Sequence, residues 1–217
     1  MSATDFKNIQ ITDTEIVTIR NEIVNRYQQN ELAIAPDNTY EISYDYLLNY
    51  AKSIVNNDFA DQGLIVLAHV VYGWMPTILT IHHEINDQQQ INLSEIQEIL
   101  KEIREILKEI RTNGTKNFLN NAKALKTIAN FTNKSFVGAS KFLHFLFPET
   151  FAIWDSNINS VLEIRCTANN VNAFVIYQKA MKDALEPLSQ NNSEIKLRDI
   201  ENKLFNLGRQ NGYHNDN

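Results

Sequence analysis

Apolar positions in this chain recur every three or four residues, block after block, with polar positions between them. Thr12 to Glu15 reads Thr-x-x-Glu, a capping box, and an amphipathic stretch follows it to about Gln28. Tyr44, Leu47, Leu48, Ala51, Ile54 and Val55 form one stripe of a second predicted helix. Residues 61–74 are apolar nearly all round, which predicts a helix through the core, broken at Pro76. Ser94 to Gln97 opens a fourth, in which Ile96, Ile99, Ile103, Ile106 and Ile110 alternate in steps of three and four up to Asn113-Gly114. A fifth is predicted over 116–131, with Phe118, Leu119, Ala122, Leu125, Ile128 and Ala129 on its apolar face. Another runs over 140–147 and stops at Pro148, and one starts after Asp155. Residues 172–188 and 193–208 give two more, and 209–217 reads as a polar tail. No alternating strand pattern and no internal repeat stands out. The chain therefore reads as all-α, a compact multi-helix domain over 1–217. Two lobes around a cleft near residues 137–158 are the variant of that arrangement.

The isoleucine stripe has coiled-coil spacing over barely two heptads, so a homodimer through 94–111 stands beside a helix packed on its own core, and the short repeat favours the latter. The 217 residues are 43% hydrophobic and 21% charged, enough to build a sizeable core. No apolar run reaches the length of a membrane span, and no basic-then-apolar leader opens the chain. One cysteine, Cys166, admits no internal disulfide, and an intracellular, cytoplasmic location is expected.

Charge is unevenly spread. Residues 112–147 hold no acid and five lysines, Lys116, Lys123, Lys126, Lys134 and Lys141. That window carries +5 in a chain of net −6, which leaves −11 for the remainder. A local basic surface on an acidic body is the footprint of an anion or nucleic-acid site, and equally of a solvated helix face.

The densest chemistry lies in VGASKFLHFLFPETFAIWDSNI, residues 137–158. Gly138 is read as a tight turn between helical runs, with Ser140 at the amino end of the next helix, where backbone N–H groups beside Lys141 would seat a phosphate. Lys141, His144 and Phe145 share a helix face. Asp155 is a favoured N-cap for the helix that follows.

With Val137-Gly138, Lys141 on a helix, and Ala152-Ile153 shortly before Asp155, this segment resembles the core of the helix-hairpin-helix DNA glycosylase superfamily, most nearly its 8-oxoguanine glycosylase branch. The likeness covers about 25 residues. It departs from the family in having one hairpin glycine rather than two, a shorter Lys141–Asp155 spacing, and Asn157 where a histidine often stands. The resemblance implies a helix-hairpin-helix element near residues 118–164 and a DNA partner whose target base is flipped into an aromatic pocket. Trp154, His144, Phe145 and Trp74 would line that pocket. Asp155 would stabilise the cationic sugar, and Lys141 would attack C1′ as a neutral amine. Gly138 and Ser140, with Lys134, Lys126, Lys123 and Lys116, would bind the phosphate backbone. No cofactor is implied, and one cysteine leaves no room for an iron–sulfur cluster.

Other signals are weaker. His82-His83-Glu84 has no second ligand cluster in the sequence, so no metal is expected. Arg209 and His214 fit Arg-x4-His, which resembles the ribonuclease motif of small helical toxin domains, a lesser alternative. The alternative from another class is a non-catalytic helical interaction module on the same scaffold.

Overall fold

The protein is described by a computed structural model over residues 9–29, 38–73, 79, 81, 93–164, 170–190 and 193–215. The described residues form ten helices and no strand, so the fold is all-α. In chain order they are α1 (Asp13–Gln29), α2 (Asn38–Asn56), α3 (Asp61–Gly73), α4 (Leu93–Asn113), α5 (Thr115–Leu119), α6 (Ala122–Phe131), α7 (Phe136–Leu146), α8 (Ser156–Leu162), α9 (Val171–Ser189) and α10 (Leu197–Asn215).

Local chemistry sets several boundaries. The capping box before α1 is formed: Thr12 N–H donates to Glu15 Oε2 at 2.8 Å and Glu15 N–H to Thr12 Oγ1 at 3.3 Å. Gly114 ends α4 with φ 72°, a left-handed conformation that glycine adopts without strain. The single helix expected over 116–131 is two. Asn121 accepts Ala124 N–H on its side chain at 3.1 Å and starts α6 afresh, since Asn side chains compete for backbone groups and favour caps over helix interiors. α10 begins four residues after position 193 and continues through Gly208 and Gly212 to Asn215, so helical backbone takes in most of the segment read as a tail.

α7 lies among α2, α3 and α6; α4 covers α3, α5 and α6; α1 lies against α9 and α10; and α8 packs on α10. One contiguous cluster of buried apolar side chains takes in all ten helices. On α4, Ile99, Ile103, Leu107 and Ile110 are buried in it, while Ile96 and Ile106 of the isoleucine stripe are half-buried. α3 is less enclosed than its composition suggested, with Val66 and Val70 on an open face, 46% and 39% exposed. The basic positions of α4 reach back to the turn between α2 and α3. Lys108 and Arg111 pair with Asp58 at 2.7 and 2.8 Å, Arg104 pairs with Asp61, and the Arg111 guanidinium sits 5.0 Å from the Phe59 ring centre. No described helix is long and apolar enough to cross a membrane.

Candidate functional site

Between α7 and α8 the chain runs outside any helix through Phe151, Ala152, Ile153 and Trp154, buried at every position. A buried irregular segment must find partners for each backbone polar group or bear a desolvation penalty. Here the Phe151 N–H goes to Phe147 O at 3.0 Å, and side chains from three helices serve the groups that follow. His144 of α7 donates from Nδ1 to Phe151 O at 2.7 Å. Gln178 of α9 accepts Ala152 N–H at 3.0 Å and donates to Ala152 O at 2.8 Å. Glu201 of α10 accepts Ile153 N–H at 2.7 Å, and Tyr177 of α9 donates its hydroxyl to Ile153 O at 2.7 Å. Ser140 of α7 accepts Trp154 N–H at 2.9 Å; its own proton faces Val137 O at 2.8 Å and Trp154 O at 3.3 Å. The segment is clad in side chains as a central strand is clad in neighbouring strands.

At its end, Asp155 caps α8. Both amides it accepts, Asn157 N–H at 2.9 Å and Ile158 N–H at 3.1 Å, go to Oδ1, so the cap uses one carboxylate oxygen. Lys141 stands on α7 and is, like Asp155, only half-buried. Burial holds the Lys141 amine below the usual lysine range, against the charges of Asp155 and Glu201, which raise it. Burial pushes the Asp155 carboxyl up, against the Ile158 amide and the Lys141 charge. The Ser140–Trp154 hydrogen bond sets the start of α8 against α7, one residue before each of the two groups.

Behind them lies a sealed polar cluster. Glu201 is 2% exposed; its Oε1 pairs with Arg198, whose guanidinium covers the Tyr44 ring at 4.3 Å. Burial pushes the Glu201 carboxyl up, opposed by Arg198. His144 is fully buried, and burial together with the Arg198 charge pushes it down to about 3. Its Nδ1 comes within 3.6 Å of Glu201 Oε2, but the Nδ1 proton goes to Phe151 O at 2.7 Å and Nε2 accepts from the Tyr44 hydroxyl at 2.7 Å. A neutral imidazole satisfied on both nitrogens fits that geometry, and an ion pair with Glu201 does not.

Several sequence-level assignments change. Gly138 is inside α7, not in a turn: Ser135 caps the helix and accepts Gly138 N–H at 3.2 Å. The glycine answers a different need. A Cβ there would lie 2.1 Å from the Tyr72 hydroxyl, which passes over it to donate to Thr132 O at 2.7 Å. Ser140 is likewise inside α7 and fully buried, so the expected phosphate seat at Gly138 and Ser140 is not formed. Trp154, Phe145 and His144 are at most 1% exposed and pack in the core rather than offering a stacking surface. Trp154 donates from its indole to Asn159 and stacks on Tyr177. Trp74 and His82-His83-Glu84 lie outside the described residues. Among the lysines, Lys116 is exposed, Lys123 pairs with Glu102 at 2.8 Å, and Lys126 and Lys134 are half-buried. Arg209 lies on α10, its guanidinium 5.9 Å from the Phe205 ring centre. His214 follows five residues later on the same helix, about 140° further round at about 100° per residue. The described residues contain no cluster of three metal-ligating side chains.

Gln178 and Glu201 were not singled out in the sequence, although a signal was present. Leu197, Ile200, Leu204 and Leu207 form the buried face of α10, and Glu201 falls on that face, where a carboxylate is out of place unless it has a partner. No family model, curated protein or solved structure matches this chain.

Proposed function

We propose that this chain is a cytoplasmic DNA-binding protein that excises a damaged or modified base, with Lys141 and Asp155 as its reacting groups. One observation carries the reading: the Trp154 N–H bond to Ser140 Oγ at 2.9 Å draws together two elements whose next residues are a half-buried carboxylate, Asp155, and a half-buried amine, Lys141. Burial that lowers an amine's proton affinity prepares it as a nucleophile. A carboxylate that caps with Oδ1 keeps Oδ2 for a developing positive charge. The neutral Lys141 amine would attack C1′ of the target nucleotide as the glycosidic bond breaks and its electron pair leaves with the base. Loss of a proton from nitrogen and opening of the sugar ring then give an imine. Asp155 would stabilise the cationic sugar during bond breaking. Lys116 and its neighbours in the acid-free window would add affinity independent of base sequence. Since Trp154, His144 and Phe145 are sealed in the core, the flipped base would rest on other side chains.

The test is reductive trapping. Borohydride with a panel of oligonucleotides carrying damaged bases or an abasic site should give a covalent adduct with the wild-type protein and none with Lys141→Gln. A wild-type protein that traps no member of the panel, and whose DNA binding is indifferent to salt, contradicts the reading. A second reading, a non-catalytic interaction module, is favoured by the enclosure of the three aromatic positions, and that outcome would support it.

A further inference from the structure

α10 meets the Asp155 segment at two points. Glu201 accepts the Ile153 N–H, two residues before Asp155, at 2.7 Å. Seven residues further along α10, Gly208 lies against the backbone of Asn157, two residues after Asp155. A Cβ at position 208 would fall 2.1 Å from Asn157 O, 2.5 Å from its carbonyl carbon and 2.8 Å from its Cα. Seven residues are close to two helical turns, so Glu201 and Gly208 share one face of α10. The Asn157 N–H is also one of the two amides held by Asp155 Oδ1, so the contact at Gly208 bears on the turn that the carboxylate caps.

The helix's own stability explains neither residue. A glycine inside a helix is less favourable than alanine. A carboxylate buried on an apolar face is worse still unless it is paired. Both make sense as contacts to the chain that α10 covers. Close approach is possible only at a residue without a side chain, and an amide in a buried irregular segment needs an acceptor.

We propose that α10 is a splint for Asp155, with Glu201 and Gly208 as positioning residues that grip the chain on either side of it and fix the carboxylate's place relative to Lys141. The functional value of the splint rests on the reading above that Asp155 acts with Lys141; the mechanical claim does not.

Amide hydrogen exchange and a carboxyl titration by NMR test it in the full chain. Gly208→Ala should speed exchange at Asn157 and Ile158 by about tenfold beyond any change in global stability, with α4 and α6 unchanged. It should also move the Asp155 titration down toward the ordinary carboxylate range as water enters. Glu201→Leu should expose Ile153 N–H in the same way, and Glu201→Gln, which keeps an acceptor, should restore its protection. The proposal is overturned if Gly208→Ala lowers the melting temperature while those amides follow the global trend and the Asp155 titration stays put. It is equally overturned if Glu201→Gln fails to restore Ile153, and this second pair of variants decides the matter should Gly208→Ala not fold. Trapping separates the two claims. A wild-type protein that never traps sinks the excision reading and leaves exchange to decide on the splint. A wild type and Gly208→Ala that trap with one pH profile overturn the positioning role.

Discussion

Two irregular stretches of this chain are clasped by side chains from distant helices, and the clasps are of opposite kinds. The turn between α2 and α3 lies at the surface, with Asp58 and Phe59 in left-handed conformation, and charged groups of α4 hold it: Lys108 and Arg111 on Asp58, Arg104 on Asp61. The 151–154 segment lies in the core; Ser140, His144, Tyr177, Gln178 and Glu201 hold its backbone by hydrogen bonds, and the Tyr177 ring also stacks on Trp154. Exposed ion pairs add little and are screened by salt. A buried backbone amide that loses its acceptor keeps its full desolvation penalty. The first clasp can be altered cheaply; the second cannot, and it is the one that ends at Asp155.

That contrast can be broken in order of size. Glu201→Ala, which leaves the buried Ile153 N–H without its acceptor and removes one partner of Arg198, should lower unfolding free energy by about 2–3 kcal/mol in a denaturant titration. Ser140→Ala, which removes the acceptor for Trp154 N–H, should lose about 1–2 kcal/mol. If both fall within error of wild type, the segment is not held as described.

His144 gives the core clasp a pH signature. In the folded chain its imidazole stays neutral down to about 3, whereas an unfolded histidine takes up a proton near 6.5. The unfolded state binds more protons between those values, so this residue removes stability as pH falls through the window. Glu201 and Asp155 act in the opposite sense, since their buried carboxyls take up protons at higher pH than unfolded ones. The difference from His144→Gln isolates the histidine. Below about pH 6 the wild type should lose up to about 1.4 kcal/mol per pH unit more than the variant, measured by thermal or denaturant unfolding. Parallel pH curves would mean that His144 takes up its proton at the same pH folded and unfolded.

The smallest effect belongs to the surface clasp. Asp58→Asn should shift the melting temperature slightly at low salt, and the shift should disappear in about 1 M salt, where the Debye length is about 3 Å. A salt-independent shift would show that the turn depends on packing by Phe59 rather than on charge.

The helices were legible because their period is written in the positions of Leu, Ile and Phe, and because capping residues such as Thr12, Gly114 and Asp155 announce themselves locally. Boundaries went astray where two local rules competed. Asn121 interrupts an otherwise continuous apolar stripe, and Ser135 rather than Ser140 opens α7 because both precede apolar turns. Of the candidate site, Lys141 and Asp155 could be named because they lie in one short stretch. What surrounds them could not, since Tyr44, Gln178 and Glu201 come from helices remote in sequence. Gly138 misled because a glycine needed for close approach, here under Tyr72, looks in sequence like a glycine needed for a turn.

An NMR titration of the Lys141 amine in wild type and in Asp155→Asn measures most directly whether Lys141 and Asp155 share one space. Asparagine still caps a helix, so the backbone should be kept while the charge is removed. Lys141 should titrate below the ordinary lysine range in the wild type, and lower again in Asp155→Asn, because the carboxylate's charge holds it up. A Lys141 that titrates as an ordinary surface lysine and is unmoved by Asp155→Asn would contradict the account.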